Sequence, residues 1–71
     1  MTTFDLVLAI VSDHFGVSRE AILGKSRRAE FVLPRHVAMW LLRTRYGYSF
    51  PRLGRYFHRD HTSVMYAVEQ V

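Results

Sequence analysis

The sequence predicts an all-α fold, a small bundle of about five helices, on three observations. Apolar residues recur at spacings of three and four, as in Phe4, Leu8, Val11 and Phe15, which is the period of a helix with one buried face. Gly16, Ser18, Gly24, Pro34, Gly47 and Ser49 punctuate the chain at intervals that suit short helices. No stretch alternates polar and apolar residues as a strand would, and repeats and low-complexity segments are absent.

The first helix is predicted over about Thr3 to Phe15, ended by Gly16. Ser18 caps a short second helix, Arg19 to Leu23, closed by Gly24. Lys25 to Leu33 reads as a basic loop. Pro34 suits the first turn of a third helix, where a missing N–H costs nothing. Val37, Ala38, Leu41 and Leu42 would face inward, with Trp40 and Met39 in the same apolar stripe, and the helix would stop near Gly47. Tyr46 and Tyr48 are expected to seal its end, and Arg43 to be a solvated helix charge. Ser49 caps a fourth helix, Pro51 to Phe57, with Leu53, Tyr56 and Phe57 as its apolar positions. Asp60 or His61 begins a fifth, with Val64, Ala67, Val68 and Val71 on the buried side. That pattern is still running at the last residue.

At 71 residues the chain is one domain, 1–71, and its 49% hydrophobic content suits a packed core rather than disorder. There is no cysteine, hence no disulfide framework and no cysteine-ligated zinc. The apolar run Leu6 to Val11 is too short to span a bilayer, and no charged start precedes it. A cytoplasmic protein is expected, associated with the nucleoid if it binds DNA.

Charge is unevenly placed. Residues 1–24 carry a net −2, residues 25–59 a net +8 and residues 60–71 a net −2. A central basic block in a chain of pI near 10.1 is the footprint of a polyanion binder. Nine of the ten basic residues are arginine, the side chain that grips phosphates or guanine edges with two donors at once.

The fourth and fifth predicted helices are short, joined by a tight turn and set in the basic region. This is a helix-turn-helix arrangement, whose second helix presents N-terminal residues to the major groove of duplex DNA. The segment Arg59-Asp60-His61-Thr62-Ser63 opens that helix. Asp60 only accepts, matching a cytosine amino group; His61 donates or accepts; the Thr62 methyl can pack on thymine. Asp60 can equally cap the helix, and the two roles can coexist. His58, Asp60 and His61 are too few for a metal site, and no nucleophile–base pair suggests catalysis, so neither a cofactor nor an enzymatic activity is expected.

Arg59-Asp60-His61-Thr62-Ser63-Val64 resembles the RDHTTV/RDHSTV signature in the C-terminal DNA-binding domain (domain IV) of the bacterial chromosomal replication initiator DnaA. Lys25-Ser26-Arg27-Arg28 resembles the family's basic loop, and Pro34-Arg35-His36-Val37-Ala38-Met39 its PRQ/ARQ-x-AM helix start. Ser49-Phe50-Pro51-Arg52-Leu53-Gly54 resembles its SLPEIG, and Phe57 its phenylalanine before the turn. The ordered set covers nearly the whole chain. The resemblance implies a Trp-repressor-like helical domain that reads an asymmetric A/T-rich element, the DnaA box. It implies a minor-groove role for Arg27 within a basic loop that includes Lys25 and Arg28. Arg35 and His36 would grip phosphate, and Phe50 and Pro51 would touch the DNA backbone. Asp60, His61 and Thr62 would read the major groove, with Arg59, Ser63 and Met65 beside them.

Three departures bear on the target. His36 stands for the usual glutamine, a single His58 replaces two glycines between Phe57 and Arg59, and Glu30 and Leu33 make the loop less basic. DnaA also carries an ATP-binding domain with a glycine-rich phosphate loop, and no such pattern occurs in these residues. Met1 directly before the first helix is consistent with a natural stand-alone domain or an excised one. The expected partner is double-stranded DNA, bound by a monomer on an asymmetric box in competition with full-length DnaA, in replication control or transcription. The alternative is a protein- or acidic-membrane-interaction module that keeps the fold without specific readout.

Overall fold

The computed structural model describes all residues, 1–71, and contains five helices and no strand: α1 (Thr3–Phe15), α2 (Arg19–Leu23), α3 (Ala29–Tyr46), α4 (Phe50–Phe57) and α5 (His61–Glu69). Local chemistry sets most of the boundaries. Thr2 and Asp5 form a reciprocal capping box at the start of α1. Gly16 and Gly47 end α1 and α3 in the left-handed conformation, at φ 67° and 69°. There a Cβ would clash with backbone and glycine avoids the cost. Ser18, Ser49 and Asp60 cap α2, α4 and α5 through their side-chain oxygens.

The third helix differs from expectation. It begins at Ala29 rather than Pro34, so the free loop shrinks to residues 24–28 and Pro34 lies inside the helix. The proline removes only the bond its N–H would have made to the carbonyl of Glu30, an exposed residue in the first turn. Its ring is buried in the core.

Helix α3 is the spine, because every other helix packs on it, while α4 and α5 also pack on each other. One core joins Phe4, Val7, Leu8 and Val11 of α1 to Ile22, Ala38, Met39, Leu42, Tyr48, Leu53, Phe57, Val64 and Ala67. The Phe4 ring stacks on Tyr56 at 4.5 Å and meets Phe57 edge-on at 5.6 Å, which fastens α1 to α4. Of the residues expected to seal the end of α3, Tyr48 is buried but Tyr46 is about half exposed. Val71 likewise lies on the surface, because α5 ends at Glu69. No helix is long and apolar enough to cross a membrane.

The helix-turn-helix depends on Gly54. A Cβ there would lie 2.6 Å from the carbonyl oxygen of Arg59, so a methyl group cannot enter without parting α4 from the turn. Gly54→Ala is therefore expected to lower stability by about 1–3 kcal/mol, the range for overpacking, despite alanine's better helix propensity. Urea unfolding checks this; an unchanged or raised midpoint would contradict the close packing of α4 on the turn.

Candidate nucleic-acid interface

The turn between α4 and α5 comprises His58, Arg59 and Asp60. His58 is the chain's one non-glycine residue at positive φ, 56°, and occupies the αL cap of α4. A left-handed residue is what a turn this short needs, and His58 supplies it at a cost in backbone strain. The Arg59 N–H bonds the Gly54 carbonyl at 2.9 Å and completes the turn.

Two arginines hold the basic loop against this turn. The Arg35 side chain is only 4% exposed. Its Nε donates to the Ile22 carbonyl at 2.7 Å, Nη1 to Ser26 at 2.9 Å and Nη2 to Ala21 at 3.0 Å. These carbonyls lie at the C-terminal end of α2 and in the loop, where helix geometry leaves acceptors unpaired. Arg59 donates from Nη1 to the Phe57 carbonyl at 2.8 Å and from Nη2 to Gly24. Lys25 Nζ donates to the His58 carbonyl at 2.6 Å. The backbone on both sides of the turn and the loop thus forms one unit.

Arg35, expected to grip phosphate, has its fork buried, with three of its five N–H groups on backbone carbonyls, so it holds the loop in place. Burial pushes its pKa down, and the Arg59 charge adds to that; burial lowers Arg59 likewise. Lys25 and Arg59 are tied to the protein in part. Arg28 pairs with Glu30 at 2.6 Å and lies over the Phe31 ring. Arg27 is exposed and makes no hydrogen bond or ion pair, which leaves it as the loop's free cation. Arg43 also departs from expectation: it is not simply solvated but donates to the Tyr48 carbonyl at 3.2 Å with its guanidinium 4.3 Å from the Phe50 ring centre.

The start of α5 stands between two clefts. Asp60 and His61 line one with Pro51, Arg55, His58 and Arg59. Thr62 and Ser63 line the other, against α3, with His36, Arg59 and Tyr66. The Asp60 and His61 side chains are 66% and 55% exposed, and His61 Nδ1 lies 3.2 Å from Asp60 Oδ1. The same carboxylate accepts the Thr62 N–H at a long 3.5 Å, so Asp60 is the helix cap. The Thr62 side chain and N–H hold its carboxyl below the usual carboxylate range, which keeps it a pure acceptor at neutral pH. His36 is half-buried; burial first, then the Arg35 and Arg59 charges, push its pKa below the ordinary histidine value, so it is a neutral donor or acceptor. Phe50 is half-buried, and Pro51 is exposed at the start of α4. Met65 is partly exposed. Tyr66, 63% exposed beside Thr62, was not singled out from sequence because it reads as one more apolar helix residue.

Removing the Arg35 fork leaves the Ile22 and Ser26 carbonyls without a donor and Ala21 with the Gly24 N–H alone. Arg35→Ala is expected to cost roughly 3 kcal/mol or more in urea unfolding, because bonds to charged donors are worth about 1.5–3 kcal/mol each. Arg35→Lys should recover only a minor part, since one ammonium cannot span the fork. A loss below about 0.5 kcal/mol in Arg35→Ala would show that the loop is held by something else.

Residues 4–71 match the family described as the bacterial DnaA protein helix-turn-helix. Among curated proteins, the chain is 47% identical over 70 residues to the chromosomal replication initiator protein DnaA of Thermomicrobium roseum, covering 97% of this chain and 15% of that protein. It is 44% identical over 66 residues to that of Thermus thermophilus, covering 92% and 15%. It is 42% identical over 69 residues to that of Acholeplasma laidlawii, covering 96% and 16%. The chain thus spans about 15% of the length of these relatives. With its five helices and the close α4–turn–α5 unit, this chain belongs to the family of the bacterial DnaA helix-turn-helix domain.

Proposed function

We propose that the domain binds duplex DNA sequence-specifically, at an asymmetric element of the DnaA-box type, and serves in replication initiation, its regulation, or transcriptional control. The observation that carries this reading is the chemistry at the start of α5. An acceptor-only Asp60, His61, Thr62 and Ser63 are exposed side by side directly after residues 25–59, a stretch of net +8. An acid in such a field repels phosphates, and a base-edge donor is the partner that makes it useful. The relatives' printed name, chromosomal replication initiator protein, supports the assignment to replication.

In this reading α5 enters the major groove and α4 crosses the backbone. Asp60, His61 and Thr62 read base edges, with Ser63 and Met65 at their flank. Phe50 and Pro51 lie against a phosphate with the α4 N-terminus, whose free N–H groups favour an anion. His36 offers a neutral N–H to a phosphate. Arg27 enters the adjacent minor groove, while Lys25, Arg28 and Arg59 supply positive field and hold the loop. Arg35 acts through position and field alone. The domain reads its element as a monomer and competes there with full-length DnaA.

Binding of a DnaA-box duplex and a scrambled duplex, each across a salt series, tests this. Asp60→Ala and His61→Ala should each lower the preference for the box by roughly tenfold, the value of one good base contact. Arg27→Ala should weaken box binding and reduce its salt dependence. If the unaltered domain bound both duplexes equally, the reading would fail in favour of a general polyanion- or protein-interaction module.

A further inference from the structure

The outer face of α4 carries two arginines that the readout above leaves unused. Arg52 and Arg55 are three residues apart, so they lie on one face of the helix. With Tyr56 they line an open pocket of their own. Neither guanidinium makes a hydrogen bond or ion pair: the chain's ion pairs are Arg19–Asp5, Arg28–Glu30 and His61–Asp60. Helix α4 has no acidic residue. The Arg52 guanidinium is nevertheless ordered, lying 3.8 Å from the Tyr48 ring centre and 5.7 Å from that of Tyr56. Stacking fixes the plane and leaves the N–H edge free.

Adjacent like charges with no acid between them oppose folding, and a polyanion removes that cost. Arg55 also lines the cleft that holds Asp60 and His61, so the pair is continuous with the start of α5. We propose that Arg52 and Arg55 form a second phosphate-binding edge. They would grip the DNA backbone that flanks the base pairs read by α5. The inference rests on the DNA-binding reading and extends its footprint along α4. It assigns these residues to affinity and not to sequence.

The test measures affinity for a DnaA-box duplex and a scrambled duplex against salt concentration, for the unaltered domain, Arg55→Gln, Arg52→Gln/Arg55→Gln and, as control, Arg45→Gln. Arg45 is exposed and unpaired too, but lies beside Val7, Ile10 and Tyr46 on the α1–α3 side. Each lost phosphate contact should reduce the slope of log K against log salt by about one unit, so about two for the double variant. The box-to-scrambled ratio should stay the same, and the Arg45 variant should keep the full slope. Arg55 touches no ring or acceptor, so its variant separates binding from folding. Slopes that fall no more than in Arg45→Gln would overturn the second edge even if the box is preferred. A drop in the box preference itself would overturn the assignment to phosphate. An unaltered domain without preference would sink the sequence-reading proposal alone, since the slopes still report on Arg52 and Arg55.

Discussion

The fold's functional end depends on the sharing of buried guanidinium donors between the basic loop and the helix-turn-helix. Arg35 joins the end of α2 to Ser26, and Arg59 joins Gly24 to the turn. Arg35 is buried and Arg59 half-buried in a small domain where burying charge is expensive, and the Arg59 charge disfavours that of Arg35. The cost is offset because every guanidinium bond goes to a backbone carbonyl, most of them with no other donor, and no buried side-chain polar atom is left unpartnered. The result is a loop whose exposed Arg27 is held in register with the start of α5. Two short segments far apart in sequence can then meet one duplex without being ordered on contact, which lowers the entropic cost of binding.

The same arrangement shapes the electrostatics. Arg35 and Arg59 line the cleft beside Thr62 and Ser63, and a low-dielectric wall concentrates their field outward. Within that field Asp60 has two tasks. It caps α5, which fixes the carboxylate direction, and it remains ionised and exposed. Capping and base reading are compatible because the cap uses a long, exposed bond that leaves acceptor capacity. In the proposed reading the buried Arg35 and half-buried Arg59 supply placement and field, and the exposed arginines supply contacts.

Much of this was legible in the sequence because it is local. Helical period, the serine caps and the left-handed glycines at positions 16 and 47 follow from residues within a turn of each other. The Asp60-His61-Thr62 start of α5 was visible for the same reason, through a capping residue after a tight turn. What was not legible depends on distance. Pro34 looked like a first-turn proline, yet the helix starts five residues earlier because the lost hydrogen bond falls on an exposed turn. Nothing in the neighbours of Arg35 shows that three carbonyls between positions 21 and 26 accept from it. Arg43 read as a solvated charge until Phe50 was placed beneath it. The close approach at Gly54 likewise appears only when α4 meets the turn.

The central claim is that a held loop and a held helix read DNA together, so the most direct test is selection of bound duplexes from a random pool by the unaltered domain. One asymmetric element is predicted, with a segment specified base by base and an A/T-rich segment at a single fixed spacing from it. Recovery of unenriched sequences, or of the two segments at variable spacing, would contradict the account.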